Sequence, residues 1–208
     1  MLGECPDHGY YRANECPGCL KKGKFLMNDN EILQVSRWMA GILRHFPEKL
    51  GVRLDSNGWT ELEELSRVIG RRTNYGWIKP MHIEAVATTD PRGRYQVESN
   101  RVRATYGHTI QVDLSDLPEA DLDELFYPTT IEEMGLIQER GLYPIEQIYV
   151  HLSGTKEKAL EAGRVHTPDP IIVRVDGARA KKDGVVIRKA GKEVYLVKEI
   201  GANYLSKI

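Results

Sequence analysis

Between Asn28 and Phe46, apolar residues recur at helical spacing: Ile32, Val35, Met39, Ile42, Leu43 and Phe46. At about 100° per residue they form a stripe about 100° wide, the pattern of one amphipathic helix. Asp29 or Asn30 is the expected cap, and Pro47 closes the end. On this helix Arg44 points nearly opposite the stripe. His45 lies on its flank with Trp38 and Gly41, where the imidazole is expected to rest against a ring and above bare backbone. Val52-Arg53-Leu54, a turn at Asp55-Ser56-Asn57-Gly58 and Trp59 follow, leading to Thr60-Glu61-Leu62-Glu63, which reads as a capping box. Leu62, Leu65 and Ile69 mark a second helix ending at Gly70, and Pro80 opens a third through Ala87. After Thr89-Asp90-Pro91-Arg92-Gly93, two alternating segments, Arg94 to Val97 and Arg101 to Tyr106, are joined through Glu98-Ser99-Asn100. Three helices and a hairpin predict a winged helix. Alternation puts Tyr95 and Val97 on one face of the hairpin, and Arg101 and Arg103 on an arginine-rich one.

The second half alternates short strands and helices. A strand spans Leu125 to Tyr127, a helix is capped by Thr130-Ile131-Glu132-Glu133 and ends at Gly141, and a strand covers Ile148 to Leu152. A helix from Thr155, a strand over Ile171 to Val175, and a hairpin of Val185 to Arg188 with Val194 to Val197 complete it. No glycine-rich dinucleotide fingerprint follows any of these strands, which excludes a Rossmann fold. The class is α+β.

Composition narrows the possibilities. The 208 residues are 41% hydrophobic and 28% charged, with no apolar run long enough for a bilayer. The start of the chain lacks a basic stretch followed by an apolar segment, so a cytoplasmic, monomeric protein is the expectation. A formal net charge of -1 argues against nonspecific coating of nucleic acid. Yet residues 1–112 hold 16 Lys and Arg against 13 Asp and Glu, and residues 113–208 hold 13 against 17, so the first half is the more basic. All three cysteines fall at the start, in Cys5-Pro6-Asp7-His8 and Cys16-Pro17-Gly18-Cys19. Two tight turns can aim three thiolates and one imidazole at a single zinc ion, and four protein ligands make such a site structural. Metal binding would supply folding energy to a segment this short. No acidic cluster suggests a catalytic metal.

The ordered set Leu43-Arg44-His45, Leu54-Asp55-Ser56-Asn57-Gly58-Trp59, Thr89-Asp90-Pro91-Arg92-Gly93-Arg94-Tyr95, Arg103-Ala104-Thr105-Tyr106-Gly107-His108-Thr109 and Val150-His151-Leu152-Ser153 resembles the RNA 2'-phosphotransferase family. The resemblance runs from about residue 30 to about residue 200 and lies in the order and spacing of the pieces. It implies a winged-helix RNA-binding lobe over residues 28–113 and an ADP-ribosyltransferase-like, split-sheet NAD-binding lobe over residues 114–208. A Cys/His zinc knuckle over residues 1–27 is an addition to this common core. The implied reaction removes an internal 2'-phosphate from RNA, such as spliced tRNA, and consumes NAD. The phosphate attacks the nicotinamide-bearing ribose carbon. A ribose hydroxyl then displaces the RNA, leaving nicotinamide and ADP-ribose 1'',2''-cyclic phosphate.

The resemblance also implies residue roles. Arg44, Arg94 and His45 are the catalytic set, with the arginines on phosphate and His45 at the ribose hydroxyl or the leaving oxygen. Arg92, Arg101, Arg103 and His108 are the RNA contacts. Tyr127, Thr129, Thr130, His151, Leu152, Ser153 and Arg164 are the NAD contacts. The chain departs from the family pattern twice. Tyr127-Pro128-Thr129-Thr130 stands where the family commonly has His-Gly-Thr, and Gln147 stands where a third phosphate-binding arginine is expected, with Arg164 as its substitute. These departures keep open an ADP-ribosyltransferase acting on a nucleic-acid phosphate or a protein, and a noncatalytic zinc-bearing winged-helix binder.

Overall fold

The computed structural model of the chain describes residues 1–72 and 74–208. Three strands, β1 (Leu2–Cys5), β2 (Gly9–Tyr11) and β3 (Lys24–Met27), precede helix α1 (Asp29–Arg44). Then come β4 (Thr60–Glu61), α2 (Leu62–Arg72), α3 (Pro80–Thr88), β5 (Tyr95–Glu98) and β6 (Arg101–Ala104). The second half holds β7 (Glu124–Thr129), α4 (Ile131–Arg140), β8 (Val150–Ser153), α5 (Lys156–Gly163), β9 (Ile171–Asp176), α6 (Gly177–Lys182), β10 (Ile187–Lys189), β11 (Val194–Val197) and β12 (Leu205–Lys207). Three sheets and six helices among the described residues make a mixed α and β fold. No described helix is long and apolar enough to cross a membrane. The chain forms two compact units, one of Met1–Thr105 with Ile110–Asp113 and one of Tyr106–Thr109 with Leu114–Ile208.

In the first unit the stripe along α1 is buried: Ile32, Val35, Met39, Ile42 and Leu43 are each at most 6% exposed. They share one core with Leu62, Leu65 and Ile69 of α2 and Ile83 and Val86 of α3. Leu2, Leu26 and Met27 enter the same core, so the sheet β2-β1-β3 is anchored on the helices by its own apolar residues. The cap of α1 is Asn28, not Asp29 or Asn30. Asn28 keeps an extended backbone at the end of β3, accepts a 3.0 Å bond from the Glu31 amide and donates its own amide to Glu31 Oε2 at 2.8 Å. The expected box at Thr60 does not form either. Thr60 and Glu61 are drawn into β4 against β6, and the Thr60 hydroxyl instead donates to Glu64 Oε2 at 3.0 Å.

The hairpin is tighter than its sequence suggests. Glu98 pairs with Arg101, leaving a two-residue turn in which Ser99 and Asn100 have φ of 46° and 68°, the backbone that suits strand twist. Arg94 precedes β5, and Tyr106 lies past the end of β6, in the second unit.

The second unit is built on one antiparallel sheet of order β10-β11-β8-β7-β9-β12. Its two three-stranded halves meet through a single register pair, Phe126 with Ser153. Beyond that pair β7 and β8 diverge, and Pro128, whose missing N–H a central ladder would need, sits on β7 past the last bond to β8. Gly163 closes α5 against this strand; a Cβ there would lie 2.8 Å from that of Pro128 and 2.6 Å from that of Pro170. Thr130 and Glu133 complete the expected capping box of α4.

Asn28→Ala is expected to lower stability by about 1 kcal/mol. Asp29→Ala should cost less, because it removes only an exposed charge near the helix N-terminus and its surface pairing with the Met1 ammonium. Urea midpoints of the two variants check the assignment of the cap.

Candidate functional site

The side chains of Cys5, His8, Cys16 and Cys19 converge, their ligand atoms all within 4.8 Å of one another. Cys5 Sγ lies 3.7 Å from Cys19 Sγ and 3.4 Å from His8 Nδ1. Zinc bond lengths in a tetrahedron require edges of about 3.8 Å between sulfurs and about 3.6 Å from sulfur to nitrogen, so the cluster fits this ion. Burial pushes the Cys16 thiol up, but the amides of Cys19 and Gly18 outweigh it and bring the thiol down to about 7. A thiolate at neutral pH is the form that ligates metal.

Arg44 ends α1, and His45 follows as its C-cap, its amide donating to the Gly41 carbonyl at 3.0 Å. The Phe46 amide bonds the same carbonyl at 3.2 Å. Phe46, not His45, therefore covers Gly41: a Cβ on Gly41 would lie 2.4 Å from the Phe46 ring. The reason is that the chain leaves helical geometry at His45 and folds back, which turns the imidazole outward, where it is exposed. Partial burial of the ring, then the neighbouring Arg44 charge, hold the His45 pKa below the ordinary imidazole range.

Arg94 is fixed by a pair that the sequence motif contains but does not announce. Asp90, whose side chain is wholly buried, accepts the Arg94 Nη2 at 2.6 Å, its Nε at 3.0 Å and its backbone amide at 2.8 Å. Nη2 also donates to Ser36 Oγ at 2.8 Å. Burial pushes the Asp90 carboxyl up, but the bonds and charge of Arg94, with the charge of Arg12, prevail and hold it below the ordinary carboxylate range. Tyr95 donates its hydroxyl to the Ser36 carbonyl at 3.0 Å, and its phenol lies within the influence of the charges of both Arg94 and Arg44. Ser36 and Arg44 are eight residues apart, about 12 Å along α1. Arg44 and His45 thus end the helix on which Ser36 holds Arg94.

The hairpin arginines divide. Arg92 is exposed on the turn before β5, and Arg101 is partly exposed and paired with Asp55 at 3.2 Å. Arg103 is only 2% exposed, stacked 4.6 Å from the Trp59 ring centre and bonded to Gln96 Oε1 and the Asn57 carbonyl. An arginine this deep is a packing element, because Trp59 occupies the face that alternation assigned to solvent. His108 is likewise 1% exposed, in the second unit, where its carbonyl accepts the Ile148 amide. Burial removes both from direct contact with a polyanion.

Across the divergence of the second unit, Tyr127 and Thr129 stand on β7, and His151 and Leu152 on β8. His151 Nε2 accepts the Gly107 amide at 3.0 Å, and its ring meets Tyr106 edge-on at 6.0 Å. That bond leaves the proton of the neutral ring on Nδ1. Thr129 donates to Glu133 Oε2 at 2.9 Å, and burial followed by the Glu133 charge raises the Tyr127 phenol. Thr130 caps α4, Ser153 is buried at the junction, and Arg164 is exposed as the C-cap of α5. Gln147 is exposed ahead of β8. Sequence reasoning missed Asp90, Ser36, Gly107 and Arg12. Only Asp90, four residues before Arg94 across a turn, carried a local signal.

A family model described as RNA 2'-phosphotransferase, Tpt1 / KptA family, matches residues 30–199. The chain is 44% identical over 199 residues to a "Probable RNA 2'-phosphotransferase" of Thermoplasma acidophilum, covering 95% of this chain and 85% of that one. It is 37% identical over 205 residues to the protein of the same name from Methanosarcina barkeri, covering 99% and 98%. It is 40% identical over 203 residues to "Probable RNA 2'-phosphotransferase 1" of Archaeoglobus fulgidus, covering 98% and 93%.

Asp90→Asn should destabilise the protein by about 3 kcal/mol at pH 7, because it leaves Arg94 without its buried partner. The lowered carboxyl makes the Asp90 contribution complete above about pH 3.9 and lost as the pH falls through the folded value. Urea unfolding from pH 7 to pH 2 should show the gap between wild type and variant closing over that range.

Proposed function

The chain belongs to the RNA 2'-phosphotransferase family, and from that premise we propose that it removes an internal 2'-phosphate from RNA by transferring it to NAD. Nicotinamide and ADP-ribose 1'',2''-cyclic phosphate are the other products, and the RNA, tRNA-like after splicing, regains a 2'-hydroxyl. The observation that carries this reading is that α1, which ends in Arg44 and His45, also holds Arg94, fifty residues beyond Arg44 in sequence, through the 2.8 Å bond to Ser36.

A phosphate dianion is already nucleophilic, so its attack needs position and charge neutralisation more than a base. Two guanidinium groups provide both, as rigid forks that match phosphate oxygens. Arg94 is preorganised by Asp90 and Ser36, so little rotamer freedom is lost on binding. His45, kept neutral by its lowered pKa, can accept the proton of a ribose hydroxyl when that oxygen turns on the phosphorus. Exposed Arg92 and partly exposed Arg101 remain suited to track the RNA backbone.

The second unit suits NAD because the gap between β7 and β8 opens at the strands that carry Tyr127, Thr129, His151 and Leu152. Thr130, Ser153 and Arg164 join this set. When bound, NAD supplies a ribose carbon with nicotinamide as its leaving group. Pro128 is accommodated by packing on Gly163, so its ring does not break the strand. Zinc held by Cys5, His8, Cys16 and Cys19 serves structure, since protein fills all four positions.

Incubation of the protein with NAD and an oligonucleotide carrying one internal 2'-phosphate should release nicotinamide and ADP-ribose 1'',2''-cyclic phosphate. Absence of nicotinamide release overturns the reading, and accumulation of ADP-ribosylated RNA without cyclic product reassigns it to an enzyme that stops after the first transfer. Arg44→Ala should lower turnover by about a hundredfold or more. Turnover of wild type should fall as the pH drops through the depressed His45 pKa, below about 6.5. His45→Gln should be slow and lack this limb.

A further inference from the structure

Arg12 lies between the two pairs of cysteine and histidine ligands, directly after β2, and its side chain leaves the N-terminal sheet for the end of α3. Its Nε donates to Thr89 Oγ1 at 2.9 Å and its Nη2 to the Val86 carbonyl at 2.9 Å. Val86 is among the last carbonyls of α3, and the amide that would close the helical bond to it, that of Asp90, turns instead to Ala87 at 3.3 Å. Arg12 thus caps this helix end from outside. Thr89 passes the contact on, its hydroxyl donating to the Ala85 carbonyl at 2.5 Å. The next residue is Asp90, the anchor of Arg94. Tyr10 makes a second contact from the same strand, its hydroxyl donating to Glu84 at 3.4 Å.

Building on the proposed phosphotransfer, we infer that Arg12 is a positioning residue: the metal-folded N-terminal segment uses it to brace the Asp90 turn and to keep Arg94 effective toward the RNA phosphate. Two physical consequences follow from its place. The first is geometric. Arg12 holds the backbone from which the Asp90 carboxylate rises, and that carboxylate sets the plane of the Arg94 guanidinium through a bidentate contact. The second is electrostatic. Asp90 alone would cancel Arg94, leaving a neutral pair with little attraction for a dianion. The Arg12 charge also acts on Asp90 and Arg94, so the three groups together carry one net positive charge. The N-terminal segment thereby acquires a function beyond its own folding, since the loops that ligate metal also determine where residue 12 stands.

The test uses the full-length, zinc-loaded protein. Arg12→Ala should raise KM for the 2'-phosphorylated oligonucleotide about tenfold while KM for NAD and the zinc content stay at wild-type values. Arg12→Lys, which keeps the charge, should fall between the two. Thr89→Val removes the Nε acceptor without touching the N-terminal segment and should also raise the oligonucleotide KM; the double variant Arg12→Ala/Thr89→Val should be no worse than Arg12→Ala. An unchanged oligonucleotide KM in Arg12→Ala, or in Thr89→Val should Arg12→Ala not fold, overturns the inference. Hydrogen exchange at the Arg94 amide, which donates to Asp90, supplies a readout independent of turnover. Faster exchange in Arg12→Ala supports the brace and equal protection refutes it, even if wild-type protein shows no phosphotransfer and the parent reading fails.

Discussion

A buried carboxylate gripping one edge of an arginine with both its oxygens is the contact on which the first unit turns. Asp90 ends the stretch that leaves α3, Arg94 begins the approach to β5, and Ser36 lies on α1, so the Asp90–Arg94–Ser36 chain ties three elements at one point. Leaving either charge alone in that setting is costly, which makes the geometry hard to relax. A guanidinium held in this way meets an anion already oriented. Its weakness is that the same carboxylate neutralises it, and the presence of a second guanidinium near Asp90 answers that weakness.

The second unit solves a different problem with the same economy. An antiparallel sheet normally leaves no opening between its strands. Here the sheet is nearly cut: the two halves share one register pair at Phe126 and Ser153, and the strands part beyond it. Pro128 reinforces the parting, because a residue without an N–H cannot extend the ladder toward β8. His151, on β8, is oriented by the Gly107 amide and the Tyr106 ring, with its tautomer already set.

Much of the architecture was legible in the sequence. Helical periodicity located α1, and Thr130 with Glu133 located the start of α4, since both are patterns within one or two turns. The Cys/His spacing predicted a cluster that the fold brings together within bonding range of one ion. Shifts occurred where a neighbouring element competed for the same residues. Asn28 rather than Asp29 caps α1 because β3 runs up to it, and Thr60 is taken by β4 because β6 offers a pairing partner. α6 and β12 were not anticipated, being a six-residue helix and a three-residue edge strand whose existence depends on packing and on pairing with β9. Arg103 and His108 looked like surface residues because alternation says nothing of a tryptophan stacking on one face or of a segment crossing into another core.

By itself, then, the sequence determined the residue types and their local arrangement: an Arg-His pair at a helix end, an arginine after a tight turn, two Cys/His knuckles, and strands bearing hydroxyls and a histidine. Periodicity, capping and turn chemistry act over a few residues, so they are written in the chain. The tertiary structure alone decided that Ser36 holds Arg94 on the helix that ends in Arg44, that Phe46 and not His45 covers Gly41, and that Arg12 reaches the end of α3. Each of these rests on contacts between residues far apart in sequence, whose partners are selected by the packing of the whole unit.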